Sequence, residues 1–344
     1  MNCGLIGYPL GHSYSPQIHR ALADYDYRLW PLKPEELEAF LVKRDFAGIN
    51  VTIPYKERVI PYLDQLSDTA RAIGAVNTVV NRDGKLYGDN TDLAGMLALI
   101  RRTGLVLSGK KVLVLGTGGT SKTARAAALQ LGAAEVYRVS RSGRDGAVTY
   151  RQAAELHRDA ACIINTTPCG MHPNLGGCPV ELDSFPCLEG VVDVIYNPLR
   201  SELVLGARQR GIPAEGGLYM LAAQAAYASA LFRGCEATAG DIELAYRTVL
   251  RQMENIVLIG MPSSGKTTVG RLLAQRTGKE FVDTDALVEQ AVGMTVPDYF
   301  ATKGESAFRE REKEAVASAA ASGGKVIATG GGAVLRPENL RALQ

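Results

Sequence analysis

Short apolar runs alternate with longer amphipathic stretches through the first hundred residues. The runs at residues 3–6, 49–53 and 75–80 predict strands, and the stretches between them predict helices. This alternation is typical of α/β folds, so we expect an α/β protein. Asn77 and Thr78 lie inside the third run, where polar side chains need hydrogen-bond partners from the backbone or from a ligand.

The stretch 111–132 predicts a strand, a glycine-rich turn and a helix in direct succession. Its apolar run resembles a strand buried on both faces, and its alanine-rich part predicts a helix ending at Gly132, where a C-cap is expected. Such a turn brings backbone N–H groups and a helix N-terminus to a pyrophosphate. Ser121 occupies the position of the third glycine, and it is small enough for close helix packing.

Several polar residues stand at predicted strand ends and helix starts. Ser15 before Pro16 predicts a helix N-cap, whereas Ser13 in the preceding loop is free to bind a polar ligand. Lys56 follows the second predicted strand, where it is either a solvated charge or a ligand-binding group. Asp92 either favours a helix N-terminus by its charge or belongs to the same site.

Length, charge and cysteine usage narrow the class of protein. The 344 residues predict two or three domains, and 38 basic against 36 acidic residues give a net charge of +2. Neither a nucleic acid nor a membrane is therefore an expected partner. The N-terminus lacks a signal-peptide pattern, and the six cysteines contain no C-x-x-C pair. We expect a cytoplasmic protein with reduced thiols.

A second glycine-rich loop follows a predicted helix at residues 238–252. Residues 260–267 fit the pattern G-x-x-x-x-G-K-[ST] between a predicted strand at 256–259 and a helix. In such a loop Lys266 would reach the β- and γ-phosphates of a nucleotide, and Thr267 would hold Mg²⁺. The pattern predicts a nucleotide-binding loop.

The motifs of the first 250 residues occur in one characteristic order. They are G-x-P-x-x-H-S-x-S-P, N-V-T-x-P-x-K, I-G-A-V-N-T, G-x-N-T-D-x-x-G, the glycine-rich turn, N-T-T-P-x-G-M, Y-N-P and G-L-x-M-L-x-x-Q. Together they resemble the shikimate dehydrogenases closely. The resemblance implies the NADP-linked, reversible reduction of 3-dehydroshikimate to shikimate.

The resemblance also assigns roles to residues. Lys56 and Asp92 match the catalytic pair of the family. The chemistry suits this role, because hydride transfer to a ketone leaves negative charge on the oxygen that an ammonium group can stabilise. Substrate contacts match Ser13, Ser15, Thr52, Asn77, Asp92, Tyr196 and Gln224.

The second predicted strand of the nucleotide-binding domain ends in Ser140, Arg141 and Ser142, and these residues indicate whether the cofactor is NADP or NAD. An arginine suits the 2′-phosphate of NADP, whereas NAD sites carry an acidic residue there. Arg144 either assists or is a solvated loop charge, and Lys122 stands where many relatives carry arginine. The matching cofactor-binding residues are Gly116, Gly118, Gly119, Thr120, Ser121, Ser140, Arg141, Ser142, Thr166 and Gly217.

Residues 253–344 resemble the shikimate kinases through FVDTDALVE, GESAFRERE and VIATGGGAV. The resemblance implies ATP and Mg²⁺ as cofactors, with transfer of the γ-phosphoryl group to shikimate. Arg309 is either a substrate ligand or an ion-pair partner of Glu305 or Glu312. The implied nucleotide contacts are Gly260, Ser263, Ser264, Gly265, Lys266, Thr267 and Thr268; the metal residues are Thr267 and Asp283; the substrate residues are Asp285, Arg309, Gly331 and Gly332.

These resemblances divide the chain into three predicted parts. They are a substrate domain at 1–102 completed by 219–252, an NADP domain at 103–218, and a kinase part at 253–344. The kinase part is shorter than its family's fold normally is, so we expect weak or no phosphoryl transfer from it. The sequence does not decide oligomeric state, and a homodimer stays open.

Two rival functions remain. One is a quinate or shikimate dehydrogenase that uses NAD, against which Arg141 argues. The other is a regulator that binds ligands without turnover, against which the presence of both Lys56 and Asp92 argues.

Overall fold

The computed structural model describes residues 1–11 and 13–343. The chain divides into two compact units, residues 1–249 and residues 250–344, which are described separately here. Across the described ranges, no helix has the length and apolar character needed to cross a bilayer. The α/β class expected from the sequence is confirmed, since the larger unit contains two six-stranded sheets and the smaller unit one three-stranded sheet.

The first sheet of the larger unit has the strand order β2-β1-β3-β5-β6-β4. Its strands are β1 (Asn2–Ile6), β2 (Asp26–Trp30), β3 (Gly48–Val51), β4 (Gln65–Leu66), β5 (Thr78–Arg82) and β6 (Lys85–Asp89). The accompanying helices are α1 (Ser15–Leu22), α2 (Leu37–Lys43), α3 (Asp68–Ile73) and α4 (Thr91–Arg102). The core is apolar and includes Ile6, Leu41, Ile49, Val79 and Leu86.

Two strand boundaries in this sheet differ from the sequence prediction. β3 ends at Val51 rather than at residue 53, and β5 begins at Thr78 rather than at residue 75. β5 and β6 also form an antiparallel hairpin that the predicted alternation of strands and helices did not include. Its turn places Asp83 and Gly84 at φ of 52° and 82°, the left-handed pair that Asp-Gly favours in tight hairpins.

The second sheet is parallel throughout, with the strand order β12-β11-β10-β7-β8-β9. Its strands are β7 (Lys111–Leu115), β8 (Glu135–Ser140), β9 (Val148–Thr149), β10 (Cys162–Asn165), β11 (Gly190–Asp193) and β12 (Ala214–Glu215). The helices α5 (Gly119–Gln130), α6 (Tyr150–Leu156) and α7 (Glu202–Gln209) connect them. This order is that of a doubly wound dinucleotide-binding sheet, whose ligands bind beyond the carboxyl ends of the central strands.

The chain then returns to the first sheet through α8 (Leu218–Arg233), which α9 (Ala239–Met253) follows. α8 packs closely because glycines face it. A Cβ atom at Gly48 would lie 2.2 Å from the Phe232 ring, and one at Gly95 would lie 2.8 Å from the Met220 carbonyl oxygen. These contacts bring α8 against the residues of α4 that follow Asp92.

The smaller unit has a parallel sheet with the order β13-β15-β14. Its strands are β13 (Ile256–Leu258), β14 (Glu280–Asp283) and β15 (Lys325–Ala328). Its helices are α10 (Lys266–Thr277), α11 (Thr284–Val292), α12 (Val296–Ala320) and α13 (Pro337–Leu343). α12 is kinked at Gly304, whose φ of 79° and ψ of 172° break the helical path. The strand ends of this sheet lead into the glycine-rich loop and into Asp283.

Candidate active sites

Lys56 and Asp92 form an ion pair in the larger unit. Lys56 lies beyond the end of β3, and Asp92 occupies the first turn of α4. The Lys56 Nζ atom donates a hydrogen bond to Asp92 Oδ2 at 2.5 Å. The lysine side chain is 32% exposed and the aspartate side chain 17% exposed, so a small ligand can still reach the ammonium group.

Asn77 fixes the other oxygen of this carboxylate. Its Nδ2 atom donates to Asp92 Oδ1 at 2.9 Å, while its Oδ1 atom accepts the backbone N–H of Thr91 at 2.7 Å. Because the amide is bonded at both ends, Asn77 has one orientation and Asp92 has both oxygens engaged.

A chain of hydrogen-bonded polar groups runs from β2 across β3 and β5 to Asn77. The Tyr27 hydroxyl donates to Asn50 Oδ1 at 2.7 Å, Asn50 Nδ2 donates to Thr78 Oγ1 at 3.2 Å, and Thr78 Oγ1 donates to Asn77 Oδ1 at 3.1 Å. Burial raises the pKa of the Tyr27 phenol well above its ordinary value, against a smaller opposing effect of a hydrogen bond with Ser15. The polar groups predicted inside the third apolar run are therefore satisfied by the protein itself.

The start of α1 differs from the predicted cap. Ser15 is the first helical residue rather than the N-cap, which is Tyr14, and no side chain caps this end. The Ser13 hydroxyl instead accepts the backbone N–H of Ser15 at 3.2 Å. Pro16 is compatible with this shift because proline is tolerated throughout the first turn. Both serine side chains are half-buried, as is Thr52, directly after β3.

Tyr196 and Gln224 approach from the nucleotide-binding part and from α8. The rings of Tyr196 and Tyr14 meet edge to face with centroids 6.5 Å apart, and burial raises the pKa of both phenols. Gln224 lies against Gly95, three residues beyond Asp92 on α4, and its Nε2 atom donates to the Leu221 carbonyl at 2.9 Å. Its orientation is therefore held by its own helix.

The glycine-rich turn is shaped by close contacts on one side and open space on the other. Gly116 has φ of 108°, and a Cβ atom there would lie 2.7 Å from Thr166 Oγ1. A Cβ atom at Gly118 or Gly119 would meet no other atom within 4 Å. Ser121 is fully buried and donates to the Gly118 carbonyl at 2.7 Å. The exposed start of α5, including Thr120, thus has room for a phosphate group.

The predicted specificity residues follow β8. Arg141 and Ser142 are exposed, whereas the hydroxyl of Ser140 accepts the backbone N–H of Gly143 at 3.0 Å and shapes the loop. Gly217 stands apart from this loop at the N-cap of α8, where a Cβ atom would lie 2.0 Å from the Val194 carbonyl oxygen. Any side chain at that position would push the strand end away.

Lys122 makes an ion pair that the sequence did not predict. Its Nζ atom lies 3.5 Å from Glu57 Oε1, next to Lys56 in the chain. Both side chains are more than half exposed, so the pair contributes little to stability.

The smaller unit contains a cavity of about 350 Å³ at the glycine-rich loop. The Lys266 Nζ atom donates to the carbonyl oxygens of Gly260 and Met261 at 2.8 and 2.7 Å, and Thr267 Oγ1 donates to Asp283 Oδ2 at 2.9 Å. The cavity is lined by Pro262, Ser263, Ser264, Gly265, Lys266, Thr267, Asp283, Asp285, Ala328, Thr329 and Gly331. Thr268 lies in the first turn of α10 and does not line it.

Arg309 is held by two glutamates beside the three consecutive glycines at residues 330–332. It donates to Glu312 at 2.9 Å and to Glu305 at 3.3 Å, so the ion-pair alternative from the sequence is realised. A Cβ atom at Gly332 would lie 2.9 Å from Arg309 Nη1. Burial, then the charges of Asp283 and Glu312, raise the pKa of Asp285.

Comparison with known proteins identifies the larger unit. Residues 5–79 match the family model of the shikimate dehydrogenase substrate binding domain. The NADP(+) shikimate dehydrogenase of Halothermothrix orenii is 39% identical over 264 residues, which cover 67% of this chain and 90% of that protein. The chain belongs to the shikimate dehydrogenase family.

Solved structures agree with this assignment. The Thermus thermophilus shikimate 5-dehydrogenase in complex with NADP(H) and shikimate is 31% identical with a TM-score of 0.64, covering 72% of this chain and 99% of that one. Quinate dehydrogenase from Corynebacterium glutamicum in complex with NAD is 27% identical with a TM-score of 0.65, covering 73% and 98%. Residues 262–344 match the shikimate kinase family model, so the chain carries a kinase domain after the dehydrogenase.

In the dehydrogenase, Asp92 is in direct contact with both Lys56 and Asn77. The predicted cofactor residues lie around α5 and the ends of β8 and β10, except Gly217, which lies at the N-cap of α8. Sequence reasoning missed Tyr27 and Asn50, which are linked to Asn77 by hydrogen bonds through Thr78. The signal that could have revealed Asn50 is an amide inside a four-residue strand that is buried throughout.

Proposed function

We propose that residues 1–249 catalyse the NADP-dependent, reversible reduction of 3-dehydroshikimate to shikimate. The observation that carries the proposal is the Lys56–Asp92 pair, held at 2.5 Å, partly accessible and oriented by Asn77. Membership of the shikimate dehydrogenase family, whose curated relatives are described as NADP(+) enzymes, supports the same reaction.

Lys56 acts on the ketone oxygen. Reduction of a ketone places negative charge on that oxygen, and an ammonium group within hydrogen-bond distance stabilises the charge and supplies the proton. In the reverse direction, the same amine accepts the proton of the shikimate hydroxyl. Asp92 holds the ammonium in place and accepts a hydrogen bond from a neighbouring hydroxyl of the substrate.

The remaining substrate contacts suit a ring with hydroxyl groups and one carboxylate. Hydroxyl groups can donate hydrogen bonds to the carboxylate, and hydroxyl and amide groups can both exchange hydrogen bonds with ring hydroxyls. We assign these contacts to Ser13, Ser15, Thr52, Asn77, Tyr196 and Gln224.

The cofactor would supply a hydride as NADPH when 3-dehydroshikimate is reduced, and as NADP⁺ it would accept one when shikimate is oxidised. The open space beside Gly118 and Gly119 at the start of α5 fits a pyrophosphate. The exposed Arg141 fits a 2′-phosphate, which its guanidinium binds through charge-assisted hydrogen bonds. We assign the cofactor to these groups together with Gly116, Thr120, Ser121, Ser140, Ser142, Thr166 and Gly217.

We divide the chain at the boundaries expected from the sequence, with 1–102 and 219–252 as the substrate domain and 103–218 as the NADP domain. The contact of Phe232 with Gly48 supports the assignment of α8 to the substrate domain. The kinase part is assigned to residues 253–344.

For the kinase part we propose binding of ATP–Mg²⁺ and shikimate. Lys266 would release the two carbonyls it now binds in favour of phosphate oxygens, and the Thr267–Asp283 pair offers oxygen ligands that Mg²⁺ prefers. Arg309 beside Gly332 and the carboxyl group of Asp285 would hold the carboxylate and hydroxyls of shikimate. Weak or absent phosphoryl transfer stays a prediction.

The test is one incubation of the full chain with 3-dehydroshikimate, NADPH and ATP–Mg²⁺, followed by mass spectrometry of the products. Shikimate supports the dehydrogenase, and shikimate 3-phosphate in addition contradicts the prediction of an impaired kinase. No product supports the regulator without turnover. A parallel assay with quinate and NAD tests the rival that the similarity to a quinate dehydrogenase favours.

A further inference from the structure

Asp193 is a fully buried carboxyl group that has no part in the chemistry proposed above. It ends β11 and is paired in register with Asn165, the last residue of the neighbouring strand β10. Loops that follow parallel strands lie side by side at the carboxyl edge of the sheet, where ligands bind. Asp193 therefore lies at the base of two loops next to the proposed cofactor and substrate sites.

Three groups donate hydrogen bonds to this carboxylate. Its Oδ1 atom accepts Asn165 Nδ2 and the backbone N–H of Ile195, both at 3.0 Å. Its Oδ2 atom accepts the Ser201 hydroxyl at 2.5 Å. Both oxygens are thus satisfied, as a buried carboxylate requires.

The donors connect the carboxylate to both loops. Ile195 and Ser201 flank Tyr196, so one carboxylate holds both ends of the segment that carries this residue. Asn165 in turn accepts the backbone N–H and the hydroxyl of Thr167 at 3.0 and 2.7 Å, which extends the same network into the loop after β10.

We infer that Asp193 is a positioning residue for the dehydrogenase reaction, which sets the place of Tyr196 by anchoring the chain on both sides of it. The inference rests on the proposed function, because Tyr196 matters only if the site binds shikimate. Asp193 acts through Tyr196 rather than by contact with the substrate, since its side chain has no exposed surface.

The energetics of the group support this role. Burial raises the pKa of Asp193 to about 6, and the hydrogen bonds from Ser201, Ile195 and Asn165 oppose that effect only in part. An ionised carboxylate at this position therefore lowers the stability of the folded chain. Its hydrogen bonds fix the geometry of the two loops.

The test compares Michaelis constants for shikimate and NADP in the full chain. Ser201→Ala removes one hydrogen bond to the carboxylate, and Asp193→Ala removes all three. Asp193→Asn retains a hydrogen bond to each partner, because the amide oxygen accepts two of them and the amide nitrogen donates to Ser201, which reverses the third. Thr238→Ala is the matched control, since it removes a hydroxyl that accepts the N–H of Asp241 at the start of α9, away from both loops.

We expect Ser201→Ala and Asp193→Ala to raise KM for shikimate about five- to tenfold, the effect of one lost hydrogen bond or more, with KM for NADP less affected. Asp193→Asn and Thr238→Ala should stay within about twofold of the unmodified chain. Unchanged KM for shikimate in Ser201→Ala, which retains the buried carboxylate and is expected to fold, would overturn the inference. If the unmodified chain fails to oxidise shikimate at all, the proposed function fails instead.

Discussion

Asn77 presents its amide nitrogen, rather than its oxygen, to Asp92. The oxygen is occupied by the backbone N–H of Thr91 at 2.7 Å and by the Thr78 hydroxyl at 3.1 Å, so only the nitrogen can face the carboxylate, at 2.9 Å. Asp92 is therefore bonded by Asn77 on one oxygen and by Lys56 on the other. The geometry of the proposed catalytic pair is thus determined by groups from three separate segments: Lys56 after β3, Asn77 directly before β5, and Asp92 in α4.

Replacement of Lys56 by alanine should lower turnover far more than substrate binding. Loss of a positioned acid–base group costs on the order of 10²- to 10⁴-fold in kcat, whereas the other contacts of the site keep KM for shikimate within a few-fold. Steady-state kinetics with NADP measures both constants. Lys43→Ala, which removes an exposed lysine paired with Asp45, is the control and should not differ from the unmodified chain. Unchanged turnover in Lys56→Ala would refute the assignment.

Removal of the Tyr27 hydroxyl should destabilise the larger unit. Tyr27→Phe leaves the buried Asn50 oxygen without its donor, which costs about 1–3 kcal/mol in the free energy of unfolding. The fluorescence of Trp30, the single tryptophan, reports the transition of this unit. Tyr137→Phe is the control, because its hydroxyl bonds Glu135 at the surface and its loss costs much less. Equal melting temperatures for Tyr27→Phe and the control would show that the chain from Tyr27 to Asn77 contributes nothing.

The free energy of unfolding should depend on pH because of the raised pKa of Asp193. Its pKa is raised from 3.8 to about 6 in the folded chain, so its protonated form is favoured by folding. The stabilisation is complete below about pH 4 and is lost as the pH rises through about 6, a change of about 3 kcal/mol. The unmodified chain should therefore lose stability relative to Asp193→Asn between pH 4.5 and pH 7, as followed by Trp30 fluorescence in urea. An unmodified chain that keeps or gains stability relative to Asp193→Asn over this pH range would contradict the raised pKa of Asp193.

In the kinase part, Lys266→Ala should weaken ATP binding at least tenfold, because phosphate oxygens lose a charged partner in the cavity. Isothermal titration calorimetry with ATP–Mg²⁺ measures the change. Shikimate oxidation by the same variant serves as the internal control, since Lys266 lies in the smaller unit. Equal ATP affinity in both proteins would mean that the loop does not hold the nucleotide as proposed.

Much of the fold was readable from the sequence because its signals are local. The strand, glycine-rich turn and helix at 111–132 have the predicted order, and Gly132 adopts φ of 84° directly after the C-cap of α5. The hairpin of β5 and β6 was missed because apolar runs alone do not distinguish parallel from antiparallel pairing. The Asp83–Gly84 turn carried that information.

The hydrogen bonds that position the site residues were harder to predict from the sequence, because they join residues that are far apart in the chain. Tyr27 and Asn50 are 23 residues apart, and Asn165 and Asp193 are 28 residues apart. Contacts at such separations produce no periodic pattern in the sequence. The N-cap of α1 is Tyr14 rather than Ser15 for a similar reason, since the contact of the Ser13 hydroxyl with the backbone N–H of Ser15 forms only in the folded loop.

The most direct measurement is the rate at which the full chain oxidises NADPH in the presence of 3-dehydroshikimate, compared with NADH at the same concentration. The account predicts formation of shikimate with kcat/KM at least tenfold higher for NADPH, because Arg141 can pair with the 2′-phosphate. Faster turnover with NADH would contradict the cofactor assignment. Absence of shikimate with both cofactors would contradict the central claim that the Lys56–Asp92 pair is the active site of a dehydrogenase.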